Sequence, residues 1–253
     1  MGDLLYLERC ESSQDELWAR WSQEGEQAPE ALYTLNQRAG RGRLGRAWVS
    51  PAGACLCLSW RVPKGQIQAE DLWALSFVGG VAVAQLTRAL DAPCALKWPN
   101  DLLWGARKLA GVLCEARLEA SDARARPAPR VVIGVGLNLT PSPHAFPGSV
   151  SLEERLREEG LSAPPADQLA SRLLHHLQES YALLERQGSA SVLSAWRRDA
   201  LPLGVQLTTG QHTGALLGVS DTGSLLLDTP QGTVSIDSGE VALVSYHNSE
   251  GVK

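Results

Sequence analysis

The spacing of apolar residues divides the chain into a long mixed region and a short region of alternating strands. Apolar positions recur at helical intervals in 71–90 and 166–187, which predicts two helices that each bury one face. Apolar runs of strand length occupy other parts of the same region, at 4–8, 32–36, 54–61, 95–98, 102–104, 108–118 and 130–139. This mixture predicts an α+β domain in which helices pack on a mixed β-sheet.

Three shorter helices are predicted in the same region. Ser13 and Glu16 have the spacing of a capping box, and Gly25 is a natural stop. A helix is therefore predicted between Ser13 and Gly25. Two more are predicted over 152–159 and 191–200. The last two helices of the region present no basic outer face, so a DNA-binding helix-turn-helix is not favoured.

From Leu203 onward the pattern changes to short alternating strands, at 205–209, 215–220, 224–228, 233–237 and 241–246. Glycine-containing turns separate them, which is typical of a small antiparallel barrel. We therefore divide the chain into a domain of residues 1–202, a barrel of residues 203–247 and a tail of residues 248–253 that we expect to fray. The first strand begins next to the initiator methionine, so we expect no N-terminal DNA-binding domain.

The most unusual polar stretch is a glycine–arginine loop, Gly40-Arg41-Gly42-Arg43-Leu44-Gly45-Arg46-Ala47-Trp48. Its glycines allow backbone conformations that other residues resist. Its arginines present planar charged groups that match phosphate and carboxylate oxygens. The loop lacks the ending of a Walker A motif and opens no helix as a dinucleotide fingerprint does. We expect a mobile loop that becomes ordered over a phosphate-bearing ligand.

Composition restricts the kind of ligand. The 253 residues are 44% apolar and 20% charged with a formal net charge of −5, unlike a protein that coats nucleic acid. The five cysteines form no CxxC pair and follow no signal peptide, so reduced thiols and a cytoplasmic location are expected. The histidines show no zinc-ligand spacing, and no apolar run is long enough to cross a membrane. A small anionic ligand fits this composition best.

Residues that can carry chemistry fall at strand ends or in loops, in four groups at 12–14, 37–46, 97–108 and 134–138. Five of them are cations: Arg41, Arg43, Arg46, Lys97 and Lys108. Asp101 adds a carboxylate, and no Ser/His/Asp or Cys/His arrangement has a suitable spacing. Many cations without a protein nucleophile predict nucleotidyl or phosphoryl transfer, which depends on positioning and charge stabilisation.

Four of these motifs, taken in order, closely resemble the successive motifs of biotin–protein ligases. They are Gly40–Trp48 with Ser50, Pro51 and Gly53, then Lys97–Asp101, then Lys108–Leu113 with Glu115, and finally Ile133–Asn138. The small terminal barrel matches as well, and the resemblance extends over residues 4–246. It implies a core of the class II synthetase-like kind shared by biotin and lipoate ligases, followed by an SH3-like β-barrel.

The resemblance also implies a two-step reaction. Biotin and ATP with Mg²⁺ give biotinyl-5′-adenylate and pyrophosphate. The biotinyl group then passes to one lysine of a biotin carboxyl carrier protein domain, such as that of acetyl-CoA carboxylase. A homodimer formed through the sheet is implied by analogy with the family.

The family motifs carry roles over to individual residues. Those implied to bind biotin are Ser12, Ser13, Gln14, Gln37, Gly40, Arg41, Gly42, Arg43, Lys108, Gly111, Gly134 and Gly136. Those implied to bind ATP or the adenylate are Arg41, Arg43, Arg46, Trp48, Lys97, Asn100, Lys108 and Asn138, and Asp101 is the implied magnesium ligand. Lys108, Arg43 and Arg41 are expected to be catalytic. Lys97 also fits a structural ion-pair partner, and Trp48 also fits a core residue.

Some positions depart from the family pattern and two alternatives stay open. Ser13 and Gln14 stand where the family has Thr and Asn, and Leu44 replaces an arginine found in some members. The nearest alternative is a lipoate–protein ligase or lipoyl transferase, although the arginine loop and the Lys97–Asp101 motif point away from it. The second alternative is a non-catalytic protein, either a regulator that binds biotin or the adenylate without turnover or an adaptor that uses the small barrel to recruit partners.

Overall fold

The computed structural model describes residues 3–63, 71–118, 129–142, 144 and 146–245. The tail expected at 248–253 lies outside the described residues. Up to residue 138 the strands are β1 (Leu4–Leu7), β2 (Ala31–Thr34), β3 (Gly40–Arg41), β4 (Ala47–Trp48), β5 (Cys55–Arg61), β6 (Ala95–Lys97), β7 (Asp101–Trp104), β8 (Arg107–Leu118) and β9 (Pro129–Asn138). The helices are α1 (Ser13–Glu24), α2 (Trp73–Arg88), α3 (Leu152–Glu158), α4 (Ala166–Gln187) and α5 (Ser189–Arg198).

Seven strands form one sheet in the order β1-β2-β5-β9-β8-β7-β6. β1 and β2 are parallel, and every other neighbouring pair is antiparallel. β3 and β4 form a separate two-stranded ribbon. The predicted α+β class with a mixed sheet is therefore confirmed.

The two faces of this sheet are covered by different helices because successive strand residues point to opposite sides. On β9, Ile133 and Val135 belong to the large apolar core that includes α2 and α4. Val132, directly before Ile133, packs instead with Leu17 and Trp18 of α1. α2 lies close to the sheet at Gly79, where a Cβ atom would lie 2.5 Å from Cγ1 of Val112.

The start of α1 differs from the prediction by one residue. Ser12 is the N-cap, because its Oγ accepts a hydrogen bond from the backbone N–H of Asp15 at 3.2 Å. Ser13 lies inside the helix, where its backbone N–H donates to Oε1 of Gln37 at 2.8 Å. The predicted cap at Ser13 is wrong, because two adjacent serines are chemically equal and only the backbone conformation selects between them.

The C-terminal region forms a second sheet with strands β10 (Gln206–Thr209), β11 (His212–Val219), β12 (Leu225–Thr229), β13 (Gly232–Ile236) and β14 (Ala242–Ser245). Their order is β13-β12-β11-β10-β14 and all neighbours are antiparallel. Leu225 and Leu227, both buried, join the same apolar core as the helices of the larger region. The five predicted strands are present, while the domain division at 202 stays a prediction. Among the described helices, none has both the length and the apolar character required to cross a bilayer.

Candidate active site

A cavity of about 710 Å³ lies on the α1 side of the larger sheet, within the usual size range for small-molecule sites. All four predicted groups of polar residues contribute to its lining. The predicted residues found there are Ser12, Ser13, Gln14, Gln37, Arg41, Gly42, Arg43, Arg46, Trp48, Lys97, Asn100, Asp101, Lys108, Gly111, Gly134, Gly136 and Asn138. Gly40 does not line the cavity. It packs inside the ribbon of β3 and β4, where a Cβ atom would lie 2.6 Å from the backbone oxygen of Trp48.

Two glycines of β9 allow neighbouring protein side chains to pack directly against the sheet. A Cβ atom on Gly136 would overlap the indole of Trp48, and one on Gly134 would overlap the Gln14 amide. The resemblance implies that these glycines bind biotin, and the structure places the Trp48 and Gln14 side chains directly against them. Those two side chains therefore form part of the cavity wall.

A carboxylate with two cations lies at one side of the cavity. Nζ of Lys108 is 2.6 Å from Oδ1 of Asp101, and Nζ of Lys97 is 2.9 Å from Oδ2. Burial would raise the pKa of the Asp101 carboxyl, but Lys108 and Lys97 outweigh it and hold that pKa below its ordinary value. Asp101 is therefore ionised, and the group carries a net positive charge that faces the cavity.

Lys108 is held by its backbone as well as by its side chain. Its backbone N–H donates to the carbonyl of Gly148 at 2.9 Å, and its own carbonyl accepts from Nδ2 of Asn138 at 3.1 Å. Its ammonium lies 5.4 Å from the centre of the Trp48 indole, within cation–π range. These contacts fix the start of β8 and aim the ammonium into the cavity.

The two asparagines implied to meet the nucleotide hold protein groups in this state. Nδ2 of Asn138 donates to Lys108 and, at 3.2 Å, to the carbonyl of Val150. Nδ2 of Asn100 donates to the carbonyl of Val112 at 2.6 Å. Both amides therefore stabilise the strands around Lys108, and their contact with a nucleotide stays a prediction.

The glycine–arginine loop is a hairpin. β3 and β4 pair Gly40 with Trp48 and Arg41 with Ala47, and a 3₁₀ turn over Arg43–Gly45 joins them. At the tip, Leu44 has a left-handed backbone conformation (φ 54°), and its side chain is 73% exposed. The loop thus has a defined hairpin shape, and its ordering over a ligand stays a prediction.

The three arginines of the hairpin point to three different sets of partners. Arg41 forms ion pairs with Asp15 of α1 and Glu115 of β8. Nη1 of Arg43 lies 3.3 Å from both Oδ1 of Asn100 and the carbonyl oxygen of Gly239. Arg46 forms an ion pair with Glu240. Burial lowers the pKa of the Arg43 guanidinium, although the carboxylates of Asp101 and Glu240 oppose that effect.

The C-terminal sheet supplies a wall of the cavity that sequence reasoning missed. Thr208, Gly210 and 240–243 line it. Gly239 and Val241 each accept from a cation, and Nε1 of Trp98 donates to the carbonyl of Gly223 at 2.8 Å. Most of these contacts use backbone oxygens, which every residue has, so no sequence motif marks them. The acidic residue Glu240 in the last glycine turn was the one available signal.

The opposite end of the cavity is polar but uncharged. Ser12, Ser13, Gln14 and Gln37 are all buried there. Oγ of Ser13 accepts from Oγ of Ser59 at 2.9 Å, and Nε2 of Gln14 lies 3.4 Å from the carbonyl oxygens of Leu113 and Val132. Hydroxyl and amide groups of this kind can both donate to and accept from a neutral polar ring.

Cys57 is the one thiol in the lining, and it is not set up as a nucleophile. Burial raises the pKa of its thiol to about 12, so the thiol is protonated at neutral pH. All five cysteines are free thiols. Within the described ranges, no group of three or more His, Cys, Asp or Glu side chains is arranged to hold a metal ion.

Comparisons with known proteins agree with the geometry. Residues 6–138 match the profile of the Biotin/lipoate A/B protein ligase family, and residues 204–244 match the Biotin protein ligase C terminal domain. The chain is 35% identical over 220 residues to the biotin–[acetyl-CoA-carboxylase] ligase of Mycobacterium tuberculosis. This alignment covers 83% of this chain and 77% of that protein. The chain is also 35% identical over 225 residues to the bifunctional ligase/repressor BirA of Escherichia coli, covering 85% and 67%.

A solved structure is similar over nearly the whole chain. The biotin protein ligase from Aquifex aeolicus in complex with biotin and ATP superimposes with a TM-score of 0.75 at 25% sequence identity. The match covers 96% of this chain and 99% of that chain. The two-sheet arrangement is therefore shared with a protein that holds both ligands.

Proposed function

Because the chain belongs to the Biotin/lipoate A/B protein ligase family, we infer that it is an ATP-dependent biotin–protein ligase. It activates biotin with ATP to biotinyl-5′-adenylate and transfers biotin to a lysine of a biotin carboxyl carrier protein. The observation that carries the mechanism is that the side chains of Lys108 and Arg43 line one cavity. Lys108 forms an ion pair with Asp101, and Arg43 donates a hydrogen bond to Asn100.

The first step joins two anions, and the cations of the cavity make this feasible. A carboxylate oxygen of biotin attacks the α-phosphorus of ATP, and the bond from that phosphorus to the pyrophosphate oxygen breaks. The repulsion between the carboxylate and the phosphates must be cancelled where they meet. We assign this role to Lys108 and Arg43, whose side chains line the cavity.

The second step transfers the acyl group directly to the carrier. The neutral amine of the acceptor lysine attacks the acyl carbon of the adenylate, the bond from that carbon to the phosphate oxygen breaks, and AMP leaves. A protonated Cys57 thiol supports direct transfer, because a covalent enzyme intermediate would need an activated nucleophile in the cavity.

We propose that biotin lies with its ring at the polar, uncharged end and its carboxylate at Lys108. The buried hydroxyl and amide groups of Ser12, Ser13, Gln14 and Gln37 suit a ureido ring, which has both donors and an acceptor. Trp48 would cover the apolar chain from one side, while Gly111 leaves the approach to Lys108 open. The nucleotide would then lie towards Arg43, Arg46 and the C-terminal sheet.

The residues present do not form a site for Mg²⁺ held by the protein alone. Asp101 is the implied ligand, and both of its oxygens are bonded to ammonium groups. Mg²⁺ normally needs one or two carboxylates in addition to phosphate oxygens and water. We propose that Mg²⁺ arrives bound to the ATP phosphates.

Several further features belong to the proposal. The five-stranded C-terminal sheet is proposed to be the SH3-like barrel, as a domain of residues 203–247. A homodimer is proposed to form through the edge of the larger sheet, where Tyr6 of β1 is half exposed. A cytoplasmic location is supported by the five free thiols.

Pyrophosphate exchange tests the activity and separates it from the lipoate alternative. The family profile covers biotin and lipoate ligases together, whereas the relatives named above are biotin ligases. Purified protein with Mg²⁺ is expected to exchange labelled pyrophosphate into ATP when biotin is present and not when lipoate is present. Exchange with lipoate alone would show that the assignment of biotin as the substrate is wrong. Biotin binding without any exchange would indicate a regulator.

A further inference from the structure

The base of the arginine hairpin is attached to the body of the protein by one guanidinium. Nε and Nη2 of Arg41 lie 3.1 and 2.6 Å from the two carboxylate oxygens of Asp15. Nη1 and Nη2 lie 2.6 and 2.9 Å from the two oxygens of Glu115. A guanidinium has five N–H donors, so these four hydrogen bonds leave Arg41 little capacity for a ligand anion. The hydrogen bonds that Arg41 donates to the Glu115 carboxylate also raise the pKa of Arg41.

The two carboxylates come from different parts of the fold. Asp15 lies in the first turn of α1, directly after residues 12–14 at the polar end of the cavity. Glu115 lies in β8, seven positions after Lys108 on the same strand. Arg41 therefore connects the hairpin to two of the elements that carry proposed biotin-binding groups, α1 and β8. Neither Asp15 nor Glu115 lines the cavity itself.

The hairpin is hydrogen-bonded internally. The backbone N–H of Gly42 donates to the carbonyl of Arg46 at 2.7 Å, across the turn. Gly40 is packed so closely against Trp48 and Gln37 that no side chain fits there. The contacts of Arg41 therefore attach the backbone that carries Arg43 and Arg46 to the body of the protein.

We propose that Asp15 and Glu115 are positioning residues that hold the hairpin closed over the cavity through Arg41, and thereby retain the biotinyl adenylate until the carrier lysine arrives. This inference rests on the proposed function, because it requires an adenylate. It assigns Arg41 to the anchoring of the hairpin and leaves Arg43 to meet the ligand. An adenylate is a mixed anhydride that any amine or water can attack, so its escape leads to unspecific acylation.

The effect of the anchor is moderate in size. The side chains of Arg41, Asp15 and Glu115 are 39%, 52% and 25% exposed, so solvent screens both pairs in part. Two bidentate pairs of this kind are expected to shift an opening equilibrium by roughly tenfold in total. The hairpin is expected to open in the absence of the anchor while the rest of the fold stays intact.

Limited digestion by trypsin tests the anchor without any substrate. Trypsin cuts after arginine, and the hairpin contains Arg41, Arg43 and Arg46. The double variant Asp15→Asn/Glu115→Gln is expected to be cut in the hairpin roughly tenfold faster than the natural protein. The matched control is Glu16→Gln, which removes a neighbouring carboxylate of α1 that pairs with Arg20 of the same helix. Equal rates for the double variant and the control would overturn the proposal.

A second measurement connects the anchor to the reaction. With biotin, ATP and the carrier protein, we measure the ratio of biotin found on unrelated lysines to biotin found on the carrier. The double variant is expected to raise this ratio several-fold, and the control is expected to keep the natural ratio. An unchanged ratio, with adenylate demonstrably formed, would overturn the positioning role. Failure to form any adenylate would instead overturn the proposed function, and the trypsin result would still stand.

Discussion

The ammonium group of Lys97 lies 2.8 Å from the backbone oxygen of Val241, and this contact joins the edge strand of the larger sheet to the C-terminal sheet. The same ammonium pairs with Asp101, which in turn pairs with Lys108. A continuous series of polar contacts therefore runs from the second sheet to Lys108, the lysine that we place at the reacting groups. The C-terminal sheet is part of the site for this reason.

Replacing Lys108 by Ala is expected to lower biotin-dependent pyrophosphate exchange by about 10²–10³-fold, because one stabilising charge at the developing transition state is lost. The fold is expected to survive, since Asp101 keeps Lys97 as a partner. The matched control is Arg107→Ala, which removes the neighbouring cation that lies over Trp104 and faces Glu154. Normal exchange by the Lys108 variant would show that this assignment is wrong.

Replacing Arg43 by Gly is expected to release biotinyl adenylate, so that unrelated lysines become labelled. Arg43 is the hairpin cation that contacts both Asn100 and the C-terminal sheet, and its loss opens the wall between them. The measurement is blotting for biotin on an added bystander protein. Leu44→Gly is the control: it adds the same backbone freedom at an exposed position whose φ of 54° suits glycine. Equal labelling by both variants would attribute the effect to flexibility and not to charge.

Replacing Asp101 by Asn is expected to lower the free energy of unfolding by about 2 kcal/mol at pH 7, because two partly buried ammonium groups lose their carboxylate. The pKa of Asp101 is lower in the folded than in the unfolded protein. Its contribution is therefore complete above the unfolded pKa of about 3.9 and is lost as the pH falls through the folded pKa.

Urea unfolding of the natural protein and the Asp101→Asn variant checks this sign. The difference between them is expected to be constant from neutral pH down to about pH 5 and to shrink below about pH 4. A difference that grows as the pH falls would mean that Asp101 is protonated in the folded protein.

Replacing Gly136 by Ala is expected to raise the KM for biotin by about tenfold and to destabilise the fold by about 1–3 kcal/mol. The new methyl group would overlap the Trp48 indole and push it into the cavity. Gly111→Ala is the comparison, because its Cβ atom would lie 3.1 Å from the flexible end of Lys108 and 3.0 Å from the edge of the indole. A smaller effect at Gly136 than at Gly111 would contradict the proposed packing.

The sequence by itself determined the order of elements, the α+β class and most of the polar residues that meet in the cavity, but not those of the C-terminal sheet. Helices with one apolar face and strands with an alternating pattern are local properties, so 166–187 was predicted as a helix with the bounds that the structure has. The four polar groups lie at strand ends and loops, and a sheet brings such positions together. Charged side chains such as Lys108 and Arg43 are visible in the sequence because their chemistry lies in the side chain.

Only the tertiary structure decided which groups are bonded to each other. The partners of Arg41 lie 26 positions before and 74 positions after it, and the partner of Lys97 at Val241 is a backbone oxygen. Neither spacing nor composition identifies such partners, because backbone oxygens are identical along the chain and surface carboxylates are numerous. The structure also gave Ser12 rather than Ser13 as the cap of α1, since two equal side chains are separated only by the backbone angle that tertiary packing imposes.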